Sequence, residues 1–257
     1  MDFRVSAITI LFALAAAPLP SQWVKIPSAG VPRTPDGKPN LSAPAPRAAG
    51  GLPDLSGICL APDQKYFMNL AADQPADVPL QSWARALSAE RVENLHKDDL
   101  LVHCLPPGVP RINNFGTAPF KIIQTPSLVV ILYEELNLWR QIFLDGRQLA
   151  SNPNPTWMGY STGRWDGDTL VVTSVGFNGQ TWLDTEKGHP ATDALQVTER
   201  FRRKDFGRLE IGVTIDDPKA YTRPWTATVE FRLLLGTELF EFICNENEQD
   251  IRHMVGK

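Results

Sequence analysis

From residue 118 onward the chain is a succession of short apolar-alternating runs, with no helical pattern between them. The predicted strands are 120–124, 128–135, 139–144, 158–165, 169–175, 194–202, 208–216, 225–233 and 238–245. The segments between them, among them TPS, DG, WDGD, KDFG and LLGTE, carry turn chemistry. About nine short strands without intervening helices predict an antiparallel meander. That many twisted strands close into a barrel, which also removes exposed sheet edges. The expected fold class is therefore mainly β: an antiparallel meander closing into a barrel over 54–257, with one helix packed on it.

That helix is read over about 80–97, where Leu80, Trp83, Ala84, Leu87, Val92 and Leu95 recur near helical spacing. Trp83 is expected to pack on the sheet. His96 and His103 fall at or beyond the helix end, where a histidine is usually exposed and favoured by the helix dipole. Residues 18–53 read as a Pro-rich linker lying on the domain surface, with a faint internal echo of PDGKPNLS in GGLPDLS. Residues 1–17 read as a signal peptide: Arg4 precedes an apolar run over 5–17 that is too short to span a bilayer, and ALA at 13–15 offers small residues for cleavage. The expected location is secreted or periplasmic, with no membrane span after signal removal.

The three cysteines fit such a compartment. Cys104 with Cys244 is the expected bond, since the two flank the sheet-rich part, and Cys59 is then free and buried. Three buried thiols are the alternative. A net charge of −4 argues against a nucleic-acid partner. The sequence contains no P-loop, H-E-x-x-H, C-x-x-C or GxGxxG pattern, so neither a cofactor nor a metal is expected.

Period-two alternation assigns side chains to the barrel interior. In ALQVTERFR, Glu199 shares a face with Leu195, Val197 and Phe201. A carboxylate among apolar residues needs a partner or a raised pKa. In LWRQIFL, Arg140 shares a face with Leu138, Ile142 and Leu144, which makes it the inward cation. Tyr133 lines up with Val129 and Ile131. Tyr160 and Arg164 share one face of MGYSTGRW, and the expectation is that Tyr133, Arg140, Tyr160 and Glu199 meet inside. Such a set is either a purely structural ion-pair network or a ligand and proton-transfer site.

Loops are the second place to look. TWLDTEKGHPATD brings together Trp182, Asp184, Glu186, His189 and Asp193. These residues suit an acid–base pair or a divalent cation, although their spacing matches no specific metal motif. A solvated polar loop is the plain alternative. In TIDDPKAYTRPW, Tyr221, Arg223 and Trp225 suit a barrel rim that contacts a carboxylate or sugar hydroxyls, with Asp217 holding the turn.

The stretches TPDGKPNLS, CLPPGVPR, RQIFLDGR, NPTWMGYSTGRWDGDTLVV, VTERFRR and TIDDPKAYTRPW resemble a largely uncharacterised family of secreted bacterial proteins. DLSG at the domain start also resembles lipocalin-like (calycin) barrels, where a Gly-x-Trp pattern opens the first strand; here that Trp position is Cys59. In the resembled family a histidine often stands at the position of Ala191, so a mechanism using a histidine at that position is not open to this chain.

Two functions from different classes follow. One is a barrel binding a small organic ligand, a carbohydrate or an aromatic or apolar compound, in its interior. The ligand contacts would be Tyr133, Arg164, Trp182, Tyr221, Arg223 and Trp225. The other is a cofactor-independent hydrolase, lyase or isomerase. In it Glu199 is the acid/base, Arg140 binds an oxyanion, Tyr160 donates a hydrogen bond, and Asp184 and His189 stand near the opening. A protein-interaction module using the Pro-rich arm is a third reading.

Overall fold

The computed structural model describes residue 26, residues 28–149 and residues 151–246, so the apolar leader expected over 1–17 lies outside the described residues. The chain forms a closed barrel in which every strand pairs with its sequence neighbour and the first pairs with the last. The strands are β1 (Gly57–Leu60), β2 (Phe120–Gln124), β3 (Leu128–Tyr133), β4 (Trp139–Phe143), β5 (Tyr160–Asp166), β6 (Thr169–Val175), β7 (Gln196–Arg203), β8 (Arg208–Asp216) and β9 (Trp225–Leu234). The alternation seen in the sequence is the alternation of burial. Leu209, Ile211, Val213 and Ile215 of β8 and Trp225, Ala227, Val229 and Phe231 of β9 all point inward and are buried. Phe120 and Phe231 meet edge-to-face with centroids 5.3 Å apart, and Phe201, Ile122 and Ile131 are fully buried beside them in the same core. Each such side chain contributes about 1.5–3 kcal/mol by leaving water.

Two features differ from the expected meander. The segment 238–245 is not a strand. Its place beside β9 is taken by β1, which pairs antiparallel with β9 on one side and β2 on the other. Gly57 permits this closure: its φ is +139°, and a Cβ there would stand 2.5 Å from Leu233 Cδ1. The second difference is the β4–β5 pair, which is parallel and only two residue pairs long (Ile142 with Ser161, Phe143 with Thr162). A parallel pair needs a crossover, which residues 144–159 supply. The β2–β3, β5–β6 and β7–β8 turns therefore lie at one end. The long connections 61–119, 176–195 and 217–224 gather at the other, the mouth.

Helix α1 (Lys65–Met68) and helix α2 (Ser82–Glu93) belong to the first of these connections. The apolar stripe read for α2 is only partly used. Ala84 is its one buried residue, while Trp83, Val92 and the following Leu95 are exposed. Trp83 does not pack on the sheet. Its indole N–H donates to the Lys219 carbonyl at 2.8 Å, and the Gln81 amide donates to Ala220 O at 2.8 Å. Polar bonds to the 217–224 connection, more than apolar burial, hold this helix.

The described part of the Pro-rich segment lies against the barrel. Its sequence echo is a repeated turn: Arg33 bridges Pro39 and Arg47 bridges Pro53. In each turn the arginine donates to a glycine carbonyl, Gly37 at 2.6 Å and Gly51 at 3.1 Å. The second turn is fixed to the β5–β6 turn by a two-pronged Arg47–Asp168 pair at 2.6 and 2.7 Å.

Cys104 and Cys244 form a disulfide, and Cys59 is free and buried. Burial pushes the Cys59 thiol up to about 12, which makes it a poor nucleophile. The bond ties the segment after β9 to the mouth connection across 140 residues of sequence. Replacing both bonded cysteines with serine is expected to lower stability by about 2–4 kcal/mol in urea unfolding, chiefly because the unfolded chain regains loop entropy. Burial, and then Glu134, push Glu135 up to about 7. The folded state thus holds this proton more firmly than the unfolded chain, so stability falls as pH rises through 7. Because Glu135 is partly exposed, Glu135→Gln is expected to gain only about 1 kcal/mol over wild type at pH 8 and nothing at pH 4, measured by denaturant unfolding.

Candidate functional site

The inward positions of β3 to β7 carry a polar network inside an otherwise apolar barrel. Arg140 and Glu199 are both buried and meet at 2.5 Å. The other Glu199 oxygen accepts from Asn113 Nδ2 at 2.9 Å, and Asn113 Oδ1 accepts from the Tyr133 hydroxyl at 2.8 Å. Arg140 Nε donates to Ser161 Oγ at 3.1 Å and its Nη2 donates to Ser174 Oγ at 2.7 Å; the two serines are 2.9 Å apart. Burial alone would lower the Arg140 pKa, but Glu199 and Tyr133 outweigh it and hold the guanidinium charged. Burial also raises the Tyr133 pKa, so the phenol keeps its proton.

Asn113 arrives on a single 3-10 turn, Arg111–Asn114, whose four residues are all buried. A second internal ion pair holds that turn. Arg111 donates to both Asp99 oxygens, at 2.9 and 2.6 Å, and also to Thr185 Oγ1, with its guanidinium over the Phe67 ring.

Every Arg140 nitrogen except one is engaged: Nη1 is buried and makes no hydrogen bond of good geometry among the described residues, although the Tyr133 hydroxyl lies beside the guanidinium. Arg140 also lines a cavity of about 430 Å³ at the β4–β5 seam. The short parallel pairing explains that cavity. Towards the mouth the two strands part, and Leu138 and Trp139 on one side face Trp157, Met158 and Tyr160 on the other. Phe143 stacks on Tyr160 at 5.5 Å, and Arg147, itself paired with Asp145, lies over the Phe143 ring at 3.8 Å. The result is a hydrophobic slot of ligand size with an unsatisfied donor among its lining residues.

At the mouth, Asp184 is buried and accepts from His189 Nδ1 at 2.6 Å, from the His189 amide at 3.3 Å and from the Leu70 amide at 3.2 Å. Trp182 is buried beneath the Arg91 guanidinium at 4.1 Å, and Tyr221 donates to Pro190 O at 2.9 Å. Burial pushes Arg91 down to about 10. The 176–195 connection is thus a folded, half-buried structure and not a solvated loop.

The structure brings together Tyr133, Arg140 and Glu199, and separately Asp184, His189, Trp182, Tyr221 and Trp225. Tyr160 is a correction. It does not join Glu199 in the interior, because Ser161 occupies the inward position of β5; Tyr160 points out and lines the seam. Arg164 shares that outer face and is exposed, as is Arg223. Asn113, Ser161, Ser174 and the Asp99–Arg111 pair were not singled out from sequence. Ser174 shares a face with Leu170 and Val172 and is readable by the same period-two rule, whereas Ser161 stands between Gly159 and Gly163, where the period is ambiguous. Asn113 and Arg111 sit in irregular chain where no period exists. No protein-family profile, curated protein or solved structure matches the chain.

Removing one member of the central pair, by Glu199→Gln or Arg140→Met, is expected to cost about 3–5 kcal/mol in urea unfolding. The double variant Arg140→Met/Glu199→Leu is expected to lose much less than the sum. Additive losses would show that the two side chains do not act as a pair.

Proposed function

We propose that the protein binds a small, neutral, largely aromatic compound at the β4–β5 seam, with a ligand oxygen accepting from Arg140 Nη1. The observation that carries this reading is the buried, unpartnered Nη1 of a residue lining an aromatic slot of about 430 Å³. A buried donor without an acceptor costs about 1–3 kcal/mol, and a carbonyl or hydroxyl oxygen offered there relieves that cost.

Charge selects the ligand class. Glu199 already neutralises Arg140, and Asp145 neutralises Arg147 at the rim. A carboxylate entering the slot would meet Glu199 as a like charge with no free cation to offset it. A ketone, aldehyde, ether or phenol meets only the spare donor. Trp139 and Trp157 supply flat apolar walls, as an aromatic body requires. The interior is entered through its wall, and the ligand reaches the polar network without displacing the phenylalanine core.

The catalytic alternative built on Glu199, Arg140 and Tyr160 has less support. Both Glu199 oxygens are engaged, and Tyr160 lies on the other side of the strand. Glu199 is better read as the group that positions Arg140. We also place the protein in the periplasm or outside the cell, on the strength of the leader-like sequence and the Cys104–Cys244 bond.

Three matched probes test the reading: 2-acetylnaphthalene, 2-ethylnaphthalene and 2-naphthoate, titrated against tryptophan fluorescence. The ketone is expected to bind roughly tenfold tighter than the hydrocarbon, the value of one hydrogen bond to a charged donor, and tighter than the carboxylate. Trp157→Ala is expected to weaken the ketone by about tenfold. Preference for naphthoate would sink the neutrality argument, and binding unaffected by Trp157→Ala would place the ligand elsewhere.

A further inference from the structure

His189 does more than fill the mouth. Its Nδ1 faces a carboxylate, which can only accept, so Nδ1 carries the proton and Nε2 presents its lone pair. Asp184 also accepts the Leu70 and His189 amides, so the orienting group is itself held in place. Nε2 has no hydrogen-bond partner among the described residues, and His189 lines a cavity of about 300 Å³ distinct from the seam. Beside the imidazole, 6.3 Å between ring centroids, Trp225 keeps a buried indole N–H that also lacks a partner. An oriented base with its free nitrogen at a cavity is the geometry of general-base chemistry.

The rest of the cavity narrows the reaction. Its lining sets the small apolar side chains of Ala71, Ala72 and Val78 beside the Asn69 amide, the Asp77 carboxylate and the Lys187 ammonium, the last paired with Glu186 at 2.9 Å. Serine, threonine and cysteine do not contribute to its lining, so the nucleophile is supplied from solvent. Short acyl groups fit such walls, and an amide N–H and an ammonium suit the oxygen of a tetrahedral intermediate.

We propose that Asp184 and His189 form a hydrolytic site for small carboxylic esters, in which His189 Nε2 takes a proton from a water as its oxygen attacks the acyl carbon. The carbonyl π pair moves to the oxygen, which Asn69 and Lys187 stabilise. Collapse of the intermediate breaks the bond to the alcohol oxygen, and His189 returns its proton to that leaving group. One water is consumed, and one acid and one alcohol are released. Asp184 is the positioning residue. The charged and titratable groups around the imidazole are Asp184, Arg91, Tyr221, Lys187 with its partner Glu186, and Asp77.

The full protein is assayed with p-nitrophenyl acetate and p-nitrophenyl octanoate. Saturable release is expected with acetate and much less with octanoate. His189→Gln is expected to lower kcat at least tenfold in protein that is still folded at the assay temperature, as checked by circular dichroism. Asp184→Asn should lower kcat and shift the pH profile; if that variant fails to fold, His189→Gln decides alone. No release above buffer, release insensitive to His189→Gln, or an acetylated protein accumulating in single turnover would each overturn the proposal. None of these outcomes bears on binding at the seam.

Discussion

The ion pair between Arg140 and Glu199 is the constraint around which the barrel is arranged. Two opposite charges taken out of water cost several kcal/mol each unless every remaining polar atom finds a partner. That requirement accounts for Ser161 and Ser174 at inward positions of neighbouring strands and for Asn113 on its buried turn. It also accounts, one step out, for the Asp99–Arg111 pair that fixes the turn. Strands β3 to β7 are thereby tied through their interiors as well as through their backbones. A polar network of this kind narrows the set of acceptable packings in a way an all-apolar interior does not.

The wall and the mouth have separate architectures. The wall would be uninterrupted but for the short parallel pairing of β4 and β5, and the parting of those two strands creates the slot lined by Trp139, Trp157 and Tyr160. The mouth is built from connections stabilised by their own buried polar groups, notably Asp184 with His189 and Asp217 with Thr192. The wall cavity and the mouth cavity do not share side chains. In the wall the buried ion pair orients the Arg140 guanidinium, and at the mouth the Asp184 carboxylate orients the His189 imidazole.

Much of this was legible in the sequence because a strand has a period. The burial of Glu199 and Arg140 followed from their apolar neighbours two residues away, and eight of the strands fall where alternation placed them. The reading failed where the period was ambiguous or absent. GYSTGRW alternates small and large residues on both faces, so the inward set was read as Tyr160 and Arg164 when it is Ser161, Gly163 and Trp165. Strand β1 is only four residues long and its Gly57 reads as a turn residue. The segment 238–245 alternates well but loses its place to β1. The apolar spacing of α2 did not show which face meets protein, since the helix is held by main-chain bonds to the 217–224 connection. The Asp184–His189 contact joins residues five apart in a loop, a distance at which sequence gives proximity but not burial.

Closure by β1 against β9 has a consequence for how the chain is made. Residues 57–60 wait for residues 225–234, so during synthesis every intermediate length of this protein carries two unpaired strand edges. One belongs to β2 or β1 and the other to the newest strand. Those edges are templates for pairing with any other extended chain, and contacts so distant in sequence form slowly. The period of greatest hazard for this barrel is therefore its own biogenesis, and it ends only when β9 is present to close the ring.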